Sequence, residues 1–303
     1  MPAVDPDLAV RQAAVAHARQ LGGVYDELVP LAELRAGFIF EGERVSFGSF
    51  QKGIHRAQIQ RGPAALTLTT SLKDPYGDAY DESGALFTYA YRAGSIDQAD
   101  NRALRAAFEL STPLVYFRAM APGQYLVIAP MFVTADDPGA RTVLLEPGLP
   151  VQDMQPGGLV SPQNVRAYAT REARLRLHQQ RFKLDVMRAY HHRCAICTLR
   201  ERALVQAAHI VPDVEPEGIA AVINGLALCA IHHLAFDRNL LGIDPSGVVH
   251  IADRLLREID GPMLRTGLQG FHGEAIAVPP RPEDRPDPLR LEVRFERFVH
   301  AAA

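Results

Sequence analysis

The chain has 303 residues, 48% of them apolar and 22% charged, with a formal net charge of −3 at pH 7. This is the composition of a globular protein and excludes a disordered one, and the negative balance argues against a general coating of nucleic acid. No run approaches the roughly 18 apolar residues that a membrane-spanning helix needs, so no membrane partner is expected.

In chain order, the opening Met1-Pro2-Ala3-Val4-Asp5 lacks a charged-then-apolar secretory pattern, which makes the cytoplasm the expected location. Asp5-Pro6 reads as an N-cap and first turn, and Leu8 to Leu21 as a helix that Gly22-Gly23 should end. From Leu28 to Val133 short apolar and alternating runs recur between Gly, Pro and Asp clusters, which predicts a β-rich domain. Its clearest strands are Ala65–Thr70, Leu86–Tyr91, Leu114–Arg118 and Tyr125–Ala129. Asp136 to Pro162 is rich in proline and glycine and reads as a linker with one strand, Thr142 to Leu145. Arg166 to Tyr190 is a long helical pattern. Short strands follow at Leu240–Ile243 and Val248–Ile251, then a proline-rich segment, Pro279–Pro288, and a last helix, Leu289–Val299.

Charge is not spread evenly. Between Val165 and Ala203 there are ten Lys or Arg against three acids, among them Arg174, Arg181 and Lys183. Such clustering suits contact with a DNA backbone, although an ordinary solvated helix face would look similar.

Two metal chemistries fit between Cys194 and Asp237. Cys194 and Cys197 form one pair of soft ligands, and Cys229 and His232 a second pair further on. Paired ligands at this spacing suit structural, tetrahedral Zn2+, and all three cysteines of the chain belong to the set. A redox Cys-x-x-Cys would leave Cys229 and His232 without a task. The second group is His209, Asn224, His233 and Asp237. On a helix His233 and Asp237 lie about 40° apart and can hold one hard cation, whereas adjacent His232 and His233 diverge by roughly 100° and must serve different partners.

The order of His209, Asn224-Gly225 and His233 resembles the HNH (ββα-metal) endonucleases, and the added Cys/His pairs resemble their zinc-containing, McrA-like branch. The resemblance covers about Phe182 to Asp244. It implies that His209 is a general base, that Asn224 holds the loop, and that His233 and Asp237 bind Mg2+, Mn2+ or a similar divalent ion. Ala208 departs from the pattern, since many of these enzymes carry a further metal ligand there; two protein ligands imply weaker binding.

In the first half, Phe47-Gly48, Gly53-Ile54-His55-Arg56, Asp78 to Tyr89, Asn101 to Leu104 and Pro113 to Arg118 occur in an order that resembles SRA domains, which flip a modified cytosine out of duplex DNA. The resemblance spans about Ser46 to Val133 and departs at Ala90 to Gly94, where the family has a Gly-rich turn. A flipped base needs aromatic faces and an acceptor for its exocyclic amine. Tyr76, Tyr80, Tyr89 and Tyr91 supply rings, and Asp78 or Asp81 a carboxylate. Alternating Phe87, Tyr89 and Tyr91 would equally fill one face of a strand. His55 and Arg56 could contact the DNA backbone.

The expected class is therefore α+β: an SRA/PUA-like β-barrel, a basic linker helix and a zinc-stabilised ββα-metal domain. The expected divisions are residues 1–24, 25–150, 151–189 and 190–303. The expected function is a modification-dependent, type IV restriction-like DNA endonuclease acting on double-stranded DNA that carries modified cytosine. A homodimer is expected because one HNH site cuts one strand. A catalytically silent reader of modified DNA stays open. So does an HNH nuclease whose front domain recognises an RNA feature or phosphorothioate DNA.

Overall fold

Continuously buried runs, Leu114–Phe117 and Leu126–Met131, form the middle of one mixed sheet in the first half, and strands that alternate buried with half-buried side chains, Phe87–Ala90 and Thr142–Pro147, form one side of it. A computed structural model describes residues 5–48, 50, 52–72, 87–148, 162–215 and 217–302. The chain divides into two units, Met1–Gln180 and Arg181–Ala303. The first contains α1 (Leu8–Val24), β1 (Leu28–Pro30), α2 (Leu31–Ala36), β2 (Phe38–Phe40), β3 (Glu43–Val45), β4 (Ile54–His55) and β5 (Thr67–Thr69). After these come β6 (Phe87–Ala90), α3 (Ala99–Glu109), β7 (Leu114–Ala121), β8 (Gln124–Asp137) and β9 (Thr142–Pro147). A long helix, α4 (Pro162–Ala189), crosses from one unit's residues into the other's.

The seven-stranded sheet runs β4-β5-β7-β8-β9-β6, with β1 also paired to β8. Among the described residues only β5 and β7 run parallel. Bulges interrupt β7–β8 and β8–β9, and such extra residues bend a strand and increase twist. The sheet curls far enough that Tyr89, on β6 at one end, donates a hydrogen bond of 3.1 Å to the carbonyl of Thr69 on β5 near the other. The same ring meets Tyr116 of β7 edge-on, with centroids 6.3 Å apart. Phe87, Leu104, Leu114, Ile128, Val133 and Leu145 fill this interior. The opposite face is covered by α1, whose Val10, Ala14, Val15 and Ala18 form a helical stripe against Val115, Phe117 and Val127.

Three expectations need correction. Helix α1 runs through Gly22-Gly23 to Val24. Glycine in a helix costs only about 1 kcal/mol. The stop comes at Asp26 and Glu27, at φ 49° and 68°, where the Glu27 amide closes on the Gly22 carbonyl at 2.7 Å. Asp5 is not the N-cap: Asp7 holds that position, and its carboxylate bonds the Arg61 and Gly62 amides at 2.8 and 3.0 Å instead. The strand expected at Thr142 to Leu145 is present as β9, which pairs with both β8 and β6, while residues 149–161 of the expected linker lie outside the described residues. Helix α3, within the stretch expected to be β-rich, buries Ala103, Leu104 and Ala107 at helical spacing.

The second unit continues with β10 (Val205–His209), β11 (Gly225–Cys229), α5 (Ala230–Asp237), β12 (Leu241–Ile243) and β13 (Val249–Ile251). The last helices are α6 (Asp253–Leu256), α7 (Pro262–Gly267) and α8 (Pro288–Ala302). β10 and β11 form an antiparallel hairpin in which His209 pairs with Gly225 and Val205 with Cys229. α5 starts directly after Cys229, giving a ββα unit. Phe182, Val186 and Tyr190 share a core with Leu226, Leu228 and Phe236. The α+β class is thus observed, with a curled mixed sheet in the first unit. No helix among the described residues is long and apolar enough to cross a membrane.

Candidate active site and metal centre

The hairpin and helix bring two ligand clusters together from separate stretches of chain. Cys194 and Cys197 lie on a knuckle closed by the Thr198 amide on the Cys194 carbonyl, 2.9 Å away. Cys229 ends β11, and His232 sits in the first turn of α5. One ligand atom from each of the four residues lies within 4.8 Å of the others. His232 Nδ1 is 3.4 Å from Cys194 Sγ and 3.2 Å from Cys229 Sγ, and Cys197 Sγ is 3.8 Å from Cys229 Sγ.

The arrangement passes a chemical test for a metal. His232 Nε2 is 2.8 Å from the Gly267 carbonyl, which can only accept, so Nε2 carries the proton and Nδ1 turns its lone pair to the sulfurs. The ring is steadied by the edge of Phe271 at 5.3 Å. The Cys194 thiol and the neighbouring His232 hold Cys229 well below the ordinary thiol range, whereas that shared proton and burial push Cys194 up. Three sulfurs and an imidazole converging in this way can hold one tetrahedral soft cation.

The second cluster begins where β10 ends. His209 lies face to face with Phe182, ring centroids 3.8 Å apart and planes 10° from parallel. Its Nε2 is shielded from solvent and has no hydrogen-bond partner among the described residues. Burial pushes the imidazole below the ordinary histidine range, Asp213 partly offsets this, and His233 lowers it further. The ring is therefore neutral near pH 7.

Asn224 is fully buried. Its Oδ1 accepts from the Val211 amide at 2.9 Å, and its Nδ2 donates to the Val211 and Ile219 carbonyls, also at 2.9 Å. The loop from Ile210 to Asn224 is thereby closed at its base. Gly225 is needed for contact: a Cβ there would collide with Val186 Cγ2 and stand 3.0 Å from Phe182 Cε2.

One helical turn separates His233 from Asp237, and His233 Nε2 lies 3.4 Å from Asp237 Oδ2. His233 Nδ1 is 2.9 Å from Gln206 Oε1 on β10. With that oxygen accepting the Nδ1 proton, Nε2 is left bare beside a carboxylate, which is how a hard divalent ion is met. At 22% and 57% exposed, the two side chains face solvent.

Sequence reasoning missed several groups here. Phe182 and Gln206 touch the two histidines, yet an apolar residue in a helix and a polar one at an exposed strand position carry no motif. It also missed the brace from α8. Arg294 stacks on Phe236 at 4.4 Å and donates to the Phe236 carbonyl and Asn239 Oδ1. Arg297 grips Glu215 with bonds of 2.7 and 2.5 Å, and Arg290 donates to the Glu217 carbonyl. Glu215 and Glu217 both belong to the loop that Asn224 closes.

In the first unit, Tyr76, Asp78, Tyr80 and Asp81 lie outside the described residues. Tyr89 and Tyr91 are buried, and the Tyr91 hydroxyl donates to the Asp136 carboxylate. Gly53 abuts the Tyr89 hydroxyl closely enough that a Cβ would collide with it. His55 Nε2 is 3.1 Å from the Ser46 carbonyl, and Arg56 donates to the Gly62 carbonyl at 2.9 Å. On α4, Arg181 is exposed while Arg174 and Lys183 are half-buried.

The family model described as HNH endonuclease matches residues 194–244. This segment holds both clusters, and the protein is a nuclease. No curated protein matches the chain. Among solved structures, the chain is similar to one described as "Modification dependent TagI restriction endonuclease". The identity is 18% and the TM-score 0.32, over 82% of this chain and 85% of that one.

Proposed function

We propose that the protein is a modification-dependent DNA endonuclease that restricts DNA carrying modified cytosine. The observation that carries the hydrolytic half is His209 at the end of β10 with the His233–Asp237 pair on α5 of the same ββα unit. His209 takes a proton from water, and the resulting hydroxide attacks the phosphorus in line with the departing 3′ oxygen. Asn224 ties the loop base so that His209 keeps its place at the strand end. His233 and Asp237 would hold Mg2+ or Mn2+, which supplies charge neutralisation at the phosphate when bound. Cys194, Cys197, Cys229 and His232 would hold Zn2+, which supplies folding energy when bound.

The reader half rests on the ordered sequence phrases from Phe47 to Arg118 and on a curled sheet with an aromatic interior. In this reading Tyr89 and Tyr91 form the wall behind the base pocket, because their hydroxyls are already engaged within the protein. Tyr76, Tyr80 and Asp78 or Asp81 supply the direct base contacts. His55, Arg56, Arg174, Arg181 and Lys183 serve the DNA backbone. Cutting both strands at one locus requires two such sites, and a two-fold dimer supplies them.

The test is digestion of one plasmid prepared with unmodified cytosine, 5-methylcytosine or 5-hydroxymethylcytosine, with Mg2+, Mn2+ or a chelator present. Cutting of modified plasmid alone, abolished by chelation, is the expected result. Equal cutting of all three would remove the modification dependence. Tight binding of modified DNA without cutting under any divalent ion would make the protein a silent reader.

A further inference from the structure

We propose that Phe182 is a positioning residue for the general base, the plate that sets the plane of the His209 imidazole. The inference rests on the nuclease reading above and extends the site beyond residues 194–244.

Three observations carry it. First, the rings lie 3.8 Å apart and within 10° of parallel. Aromatic pairs more often sit about 4.5–7 Å apart in offset or edge-on arrangements, so this contact is unusually close and flat. Second, no hydrogen bond to the ring is found among the described residues, and Nε2 is shielded from solvent without a partner. The outer torsion of histidine is soft, and catalytic histidines usually rely on a carboxylate or carbonyl to hold it. Here packing must do that work. Third, the contact is built into the backbone. Gly225 lies directly opposite His209 in the hairpin, and the absence of its side chain is what admits Phe182 and Val186. Phe182 is itself only 3% exposed, so its ring cannot swing away without opening the core.

A general base acts only when its lone pair meets the proton it removes, and a small misplacement can cost about a hundredfold in rate. Loss of the plate should therefore slow the chemical step and leave DNA binding alone. Whole-chain protein carrying Phe182→Leu, Phe182→Met or Phe182→Tyr would be compared in single-turnover cleavage, DNA affinity and proton NMR of the histidine rings. The Leu and Met variants should cut about tenfold to a hundredfold more slowly, with affinity within about twofold of the parent. The Tyr variant, which keeps the plate, should retain most of the rate. The His209 ring signal, identified by its loss in His209→Ala, should lie upfield in the parent and move downfield in Phe182→Leu.

Wild-type rates in both Leu and Met variants, or an unshifted His209 signal in the parent, would overturn the inference and leave the nuclease reading standing. Failure of the unaltered protein to cut any DNA with any divalent ion would overturn the nuclease reading, and this inference with it. If the Leu variant fails to fold, the Met variant and the parent's NMR signal still decide the matter.

Discussion

Asn224 and Val211 are joined by two hydrogen bonds of 2.9 Å, the side-chain amide of one closing on the backbone amide and carbonyl of the other. A side chain here does what a strand partner does elsewhere, completing the ladder two residues past His209. Asn224→Ala would take the side-chain partner from two buried backbone groups, the Val211 amide and carbonyl. An unsatisfied buried group costs about 1–3 kcal/mol. A stability loss of at least that size is expected in denaturant titration, with cleavage falling further than stability alone explains at temperatures where the variant stays folded.

His209→Ala should abolish cleavage while folding, zinc content and DNA affinity stay unchanged. Cutting at more than a few per cent of the parental rate would show that another group removes the proton.

The pH profile should carry the mark of a depressed histidine. The base works in its neutral form, and burial keeps His209 neutral to lower pH than an ordinary histidine. The acid limb of the cleavage rate should therefore lie below the usual histidine range. The sign for stability is opposite to that of a salt-bridged histidine: the unfolded ring binds its proton first, so His209's contribution is present above the unfolded value and is lost progressively as pH falls from there through the lower folded value. An acid limb above the usual range would contradict the burial argument.

Elemental analysis should find about one zinc per chain that survives mild chelation. Cys194→Ser should leave the second unit sensitive to proteases. A metal-free protein that melts at the parental temperature would show that the four ligands are an ordinary buried cluster.

Gln206→Leu removes the acceptor that holds His233 Nδ1 and should weaken Mn2+ binding about tenfold, as loss of a partner behind a metal-binding histidine does. Calorimetric titration of Mn2+ is the readout. Gln206→Glu, which keeps an acceptor, should restore affinity. Equal Mn2+ affinity in the parent and the Leu variant would place no weight on this contact.

For the front unit, the full chain with His209→Ala should bind modified duplex DNA more tightly than unmodified duplex. Asp81→Ala, or Asp78→Ala, should erase the difference. Equal affinity in the parent would refute the reader assignment.

Two groupings that the structure brings together could be read from the sequence, because metal coordination would tolerate few residue types and would fix their spacing. Cys194, Cys197, Cys229 and His232 announce themselves, and His233 with Asp237 follows from helical periodicity. Phe182 and Gln206 could not be found that way. One looks like any core residue of α4 and the other like any exposed position of β10, and their tasks exist only once the hairpin has folded. The brace by Arg290, Arg294 and Arg297 was hidden for the same reason, since arginines on an amphipathic helix look solvated. In the front unit the strand positions were legible from alternation. The length of β8 was not, because bulges break its period of two, and the end of α1 was misplaced because two glycines weigh less than the turn at Asp26-Glu27.

The grip of α8 on the loop has a consequence for synthesis. Glu215 and Glu217 are translated long before Arg290 and Arg297, which hold the loop they sit in. A nascent chain can therefore expose its complete HNH segment while the loop beside His209 is still unbraced. The loop can take its braced form only after α8 has emerged from the ribosome and closed on it.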